Sequence, residues 1–193
     1  MKTITCIVLT ILFSTASMAQ LTKGNWLMGG NASYSAQKSR GQNTIVSDTK
    51  LLDIQSNVGY FIIDKLAGGL IINGQLYHIK YPQPDGSIGE EWRNSIGTGP
   101  FIRYYFLSTD NRINIFSAAN FLYTFNWGKS SYTSTYNDNA SSYEISGGAV
   151  VFLNTSVGAE VSLGYNKKSY TDFDSKGEGI VFRIGFQIHL EKD

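Results

Sequence analysis

"GIVFRIGFQIHL", residues 179–190, decides how this chain folds. Every second residue is apolar: Ile180, Phe182, Ile184, Phe186, Ile188 and Leu190 form an unbroken row. Val181, Arg183, Gly185, Gln187 and His189 lie between them. Alternation at period two marks a β-strand with unlike faces, because successive side chains of a strand point to opposite sides. Whether the apolar row lines a core or faces outward sets the architecture, and with it the class of function.

Seven further runs alternate in the same way. Residues 24–35 place Trp26, Met28, Gly30, Ala32 and Tyr34 on one face. Residues 51–62 set Leu52, Ile54, Val58 and Tyr60 against Asp53, Gln55 and Asn57, and residues 66–79 set Leu66, Leu70, Ile72 and Leu76 against Asn73 and Gln75. In 93–106, Ile96, Ile102, Tyr104 and Phe106 oppose Ser95, Gly97, Gly99 and Arg103. In 113–127, Ile115, Ala119, Phe121, Tyr123, Phe125 and Trp127 oppose Asn114, Asn120, Thr124 and Asn126. Residues 143–153 set Tyr143, Ile145, Ala149 and Val151 against Glu144 and Ser146. Residues 157–166 set Val157, Ala159, Val161, Leu163 and Tyr165 against Glu160 and Ser162. No segment sustains helical periodicity.

The connections alternate too. "IDK", "LSTDNR" and "NTS" are short, whereas "AQKSRGQNTIVSDTK", "KYPQPDGSIGEEW", "GKSSYTSTYNDNASS" and "KKSYTDFDSKGEG" are long and polar. In an up-and-down antiparallel barrel all the short turns fall at one rim and all the long loops at the other. Membrane-spanning barrels have this asymmetry.

Composition narrows the partners. The chain has 193 residues, a formal net charge of +1 and 16% charged residues, below the roughly 25% of average soluble domains. A near-neutral chain without a basic run gives no sign of nucleic acid as a partner. The start, "MKTITCIVLTILFSTASMAQ", has Lys2 ahead of a short apolar stretch and small residues before Gln20. It reads as a secretory signal peptide over residues 1–19, leaving one domain over 20–193. Cys6, the single cysteine, falls inside it, so no disulfide or thiol chemistry is expected of the exported chain. After residue 19 no apolar run is long enough for a membrane helix, but a spanning strand needs only about 9–11 residues.

Periodicity alone leaves the orientation open. A soluble lipocalin-like barrel would hold the apolar rows inside, and "GNW" at 24–26 matches the start of the lipocalin signature. Three features favour the opposite arrangement. The polar rows hold mainly Gly, Ser, Asn, Gln and Thr, which suit a narrow lumen; a wet surface would carry more Lys and Glu. Aromatics on the apolar face gather at strand ends: Trp26, Tyr60, Tyr104 and Phe106 at the short-turn rim, Tyr123, Phe125, Trp127, Tyr143 and Tyr165 at the other. Two such bands are the interfacial girdles of a lipid-facing belt. Finally, Asp53, Arg93, Arg103, Glu144, Glu160 and Arg183 all fall on the polar rows. Three acids and three arginines are placed to pair in a closed lumen, as buried charges must.

With "GNWLMGG", "NVGYFIIDKLAGGL", "GTGPFIRYYF" and "VSLGYN" as strand and turn phrases, the chain after residue 19 resembles the small eight-stranded outer-membrane barrels of the outer membrane protein X and A type, in the porin-like family. The resemblance implies an all-β, eight-stranded antiparallel transmembrane barrel with short periplasmic turns and long extracellular loops. It also implies outer-membrane lipid and lipopolysaccharide as surroundings and the barrel-assembly machinery as a partner during biogenesis. Many such barrels end on an aromatic residue; here the closing run continues as "HLEKD", with Phe186 the nearest aromatic in register.

Two relatives of that kind are lipid A enzymes that depend on a histidine near a serine at the outer rim. Only His78 and His189 exist here; "YHIKY" lacks a His-x-Ser spacing, and His189 is expected to point inward at the opposite rim. "TDFDSKGEG" offers Asp172 and Asp174 at the first and third places of a calcium loop, but the required Glu falls on Arg183. No metal, cofactor or catalytic residue is therefore expected. Candidate contacts for an extracellular ligand are Asp172, Asp174 and the Tyr132 and Tyr136 of "GKSSYTSTYNDNASSY", a mixture suited to adaptable binding loops. Phe101, Phe116, Leu122 and Phe152 are expected to fill the lumen, and Pro100 to mark a bulge or local irregularity. The expected function is a non-enzymatic outer-membrane barrel with a structural or surface-interaction role; the alternative is a narrow channel for small solutes.

Overall fold

The computed structural model describes residues 21–41, 44–83, 85–131, 136–171 and 176–191; the expected signal peptide lies outside them. Eight strands follow in order: β1 (Trp26–Gly41), β2 (Thr44–Ile63), β3 (Leu66–Pro82), β4 (Ile88–Tyr105), β5 (Ile113–Ser130), β6 (Tyr136–Phe152), β7 (Val157–Tyr170) and β8 (Lys176–Leu190). Each pairs antiparallel with the next, and β8 returns to β1 to close the barrel. Closure removes the free sheet edges whose N–H and C=O groups would be stranded in an apolar medium.

The row that opened the question faces outward. Ile180 is 75% exposed and Ile184 58%, while Arg183 is 8% exposed and His189 fully enclosed. The same parity holds around the wall: Leu70, Ile72, Ile102, Ile145 and Leu163 are exposed, and Asn57, Asn73, Glu144 and Glu160 are buried. A soluble barrel would show the reverse. The lipocalin-like alternative fails on this point, and the exterior is the apolar belt of a membrane-spanning barrel.

The short-turn rim is tied by side chains and by a cap. Lys65 takes the tight β2–β3 turn with φ 67, the one non-glycine positive φ among the described residues. Asn114 accepts a bond from the Leu107 N–H at 3.0 Å, and Asn154 accepts from the Val157 N–H at 2.7 Å, closing the other two turns. Residues 21–25 then fold under the barrel. The Lys65 N–H donates to the Leu21 carbonyl at 2.7 Å, and the Gly24 N–H donates to the Phe61 carbonyl at 3.0 Å. Gly24 sits at φ 97, a left-handed conformation that a side chain would strain.

The long connections differ from expectation. β1 continues to Gly41 and β2 begins at Thr44, and the two stay paired from Ala36↔Lys50 to Gly41↔Thr44 across most of the expected loop, with one register shift between Ser39 and Arg40. The other three hairpins are likewise drawn out, to Pro82 and Ile88, Ser130 and Tyr136, and Tyr170 and Lys176. At 14–20 residues these strands exceed the 9–11 that cross a bilayer. What reads as long loops is mostly paired hairpin arms projecting past the belt. The ladder is made by backbone groups and needs no apolar partner, so it outlasts the alternation where both faces meet water. Pro100 marks the expected local irregularity, though not a bulge: pairing between β4 and β5 lapses at Gly99 and Pro100, while one register holds from Thr98↔Tyr123 to Phe101↔Asn120. Gly99 lets the wall close there, since a side chain would overlap the Phe121 carbonyl.

Ile184→Arg, in the middle of the belt, should lower stability by about 2–4 kcal/mol, and Leu190→Arg at the rim by clearly less. Urea titrations in phospholipid vesicles measure both; equal losses would contradict the outward belt.

Candidate functional site

The lumen is layered along its axis. At the short-turn end, Leu21, Leu27, Phe61, Tyr105, Phe116 and Phe152 form an apolar plug from which water is excluded. His189 lies among these rings, its centroid 5.8 Å from Phe61, 6.1 Å from Tyr105 and 5.3 Å from Phe152. Phe101, Phe116, Leu122 and Phe152 are all buried, as the alternation predicts.

Above the plug, two arginines cross the barrel. Arg183 of β8 forks onto Glu144 of β6, with Nη1–Oε1 at 2.6 Å and Nη2–Oε2 at 2.8 Å. Arg103 of β4 reaches Glu160 of β7 at 2.8 Å and lies 4.3 Å from the Phe116 ring centroid. The Gln187 amide donates to Glu160 at 3.2 Å and exchanges hydrogen bonds of 3.2 and 3.3 Å with Asn57 of β2. Five strands are thereby stapled through one polar layer. Gly29 faces Gln187 across the seam, where any side chain would overlap the amide. Bidentate, charge-assisted bonds are the geometry that lets ion pairs offset their desolvation. A cavity of about 30 Å³ remains beside them, above the roughly 10–15 Å³ that one water needs.

The remaining two charges do not join this layer. Asp53 is buried, but its Oδ2 accepts from the Asn73 and Gln75 amides at 3.2 and 2.5 Å instead of from an arginine. Arg93 pairs with Glu91, two residues away on the same face, at 2.6 Å, and its side chain is half exposed at the outer mouth. The reason is register. Asp53 lies opposite Gln75, whereas Arg93 lies opposite Tyr77, one inward row nearer the mouth. Four of the six expected lumen charges form the network, and Asp53 and Arg93 are corrected to separate sites.

Both aromatic bands are present. Trp26 and Tyr60 meet edge-on at 5.4 Å, as do Tyr104 and Phe106 at 5.2 Å, at the short-turn rim. Tyr123 and Phe125 meet at 5.2 Å at the other rim, where Trp127, Tyr143 and Tyr165 are also exposed. The Tyr165 hydroxyl donates to Glu178 at 2.7 Å, fixing its tip toward the polar side. Trp92, which the alternation leaves unassigned, joins this band: His78 stacks on it at 3.8 Å with 10° between the planes. His78 thus faces outward at the interface.

Tyr132, Asp172 and Asp174 lie outside the described residues, and Tyr136 opens β6 opposite Gly128. Alternation places Gln187, Asn57, Tyr105 and His189 on the inward face but gives no sign that they join the network or the plug. Leu21 precedes the first alternating run and carried no signal at all.

No protein-family model matches this chain, and no curated protein does. Solved structures do resemble it. The outer membrane protein OprG from Pseudomonas aeruginosa matches with a TM-score of 0.56 at 12% identity, over 91% of this chain and 100% of that one. The N-terminal β-barrel domain of Pseudomonas aeruginosa OprF gives 0.51 at 13% identity, over 87% and 98%. Neisserial surface protein A gives 0.50 at 14%, over 86% and 97%. At such identities the likeness is one of fold: this chain has the fold of the small eight-stranded outer-membrane barrels.

Arg183→Leu should leave Glu144 buried without its partner and lower stability by about 3–5 kcal/mol. The double change Arg183→Met with Glu144→Leu should recover most of that loss. An unchanged unfolding midpoint for the single variant would refute the network's structural weight.

Proposed function

We propose that this chain is a non-enzymatic integral barrel of a Gram-negative outer membrane, exported by removal of residues 1–19, with a structural or surface-interaction role. The observation that carries the proposal is the filled lumen. An apolar plug and two crossing ion pairs stand in series, so the axis offers no wet path from rim to rim. Eight strands leave an interior just wide enough for side chains. The likeness in fold to outer-membrane barrels supports the location. What this geometry presents to the outside is four paired hairpin arms beyond the aromatic band. These are the candidate surface for an extracellular ligand, with lipid and lipopolysaccharide around the belt and the assembly machinery as the partner in biogenesis.

A catalytic role finds little support. His78 is stacked on Trp92 at the lipid interface and His189 is enclosed by the plug, so neither stands open to a substrate at the outer rim as a catalytic histidine must.

The purified, refolded chain should migrate differently in detergent gels with and without boiling. In planar bilayers it should give no steady unitary conductance; reproducible single-channel steps would overturn the filled-lumen reading in favour of a narrow channel. A mass profile of lipid A that changes on overexpression would revive the enzyme reading.

A further inference from the structure

The outer wall is not uniformly smooth. An open groove of about 520 Å³ indents it across β2–β5 near the extended-hairpin end, within the roughly 300–1,000 Å³ of small-ligand clefts. Its walls are Leu52, Ile54, Leu76 and Trp127, and its floor is Gly74. Gly74 shares the outward row of Ile72 and Leu76, and no atom lies within 4 Å of where its side chain would begin. The dent therefore exists because one outward position on β3 has no side chain.

The next outward row toward the rim is cationic. Lys50, His78, Trp92 and Lys129 stand opposite one another in register across β2, β3, β4 and β5. His78 and Trp92 stack at its centre. Glu90, one row further out, takes Lys80 at 2.6 Å and lies 3.6 Å from His78. Lys50 and Lys129 make no ion pair among the described residues.

We propose that the groove and this row together form a site for one anionic lipid of the surrounding membrane. One acyl chain lies in the slot over Gly74, and the negatively charged headgroup meets Lys50 and Lys129. The inference rests on the membrane-barrel reading and adds to it a defined lipid partner. The occupant is argued from position and charge. The groove opens sideways into the apolar belt, so hydrocarbon fills it. The cations stand one row outside, at the depth of the aromatic band, where headgroups lie. Lysines at that depth reach along the wall with their stems and hold the ammonium at the polar boundary.

Native mass spectrometry of the refolded barrel with equal dioleoyl phosphatidic acid and dioleoyl phosphatidylcholine tests this. Wild type should retain the anionic lipid about ten-fold over the zwitterionic one. Gly74→Leu, which fills the slot, and Lys50→Gln with Lys129→Gln, which discharges the row, should each abolish most of that preference. Both variants should keep the heat-dependent shift in gel mobility. Equal retention of the two lipids, unchanged retention in Gly74→Leu, displacement by inorganic phosphate alone, or a dimer mass in place of bound lipid would each overturn the site. A folded barrel without lipid preference defeats this inference alone. A chain with no gel shift defeats the membrane-barrel reading and the inference with it.

Discussion

The polar face of every strand in this barrel is turned toward a space a few side chains wide, and each group there must find its partner among the others. With the apolar rows outside, the oily part of the interior is confined to the plug at the short-turn end, and the rest of the lumen is polar. The Arg183–Glu144 fork and the Arg103–Glu160 pair with its Gln187–Asn57 bridge answer that constraint by linking strands far apart in sequence. Their joint effect is specificity of closure: one circumference and one register bring all these donors and acceptors together.

The layering follows from the same constraint. At the short-turn end, where strands converge on tight turns and residues 21–25 fold beneath them, aromatic bulk fills the interior. Ion pairs occupy the middle, where the charged groups are buried and bidentate geometry can be held. Toward the arms, amides take over around Asp53, and Arg93 meets solvent. Buried Asp53 is met by amide donors in place of a countercharge, and half-exposed Arg93 has Glu91 beside it, so each charge outside the middle layer keeps a polar partner.

Much of this was legible in the order of residues. Alternation located all eight strands, and the placement of Arg183 between Phe182 and Ile184 assigned the buried face. Parity says which side a residue faces, however, and not how high it stands. That is why the opposite charges of Asp53 and Arg93 were expected to share a network although a row of the sheet separates them. Strand ends were hidden for another reason. Beyond the belt both faces are wet, so residues such as those from Ser35 to Lys38 keep the ladder while losing the pattern. The cap at Leu21 depends on backbone bonds, which leave no trace in side-chain order.

The seam that closes the cylinder is uneven. β8 meets β1 only from Trp26↔Leu190 to Ala32↔Ile184, whereas β1 stays paired with β2 as far as Gly41. The wall therefore has a fault line, anchored at the capped base and unbound toward the arms. Amide protons along that line are the first the sheet yields to solvent, because opening there breaks the fewest bonds. The cylinder is sealed from its base upward, and it loosens from the opposite end.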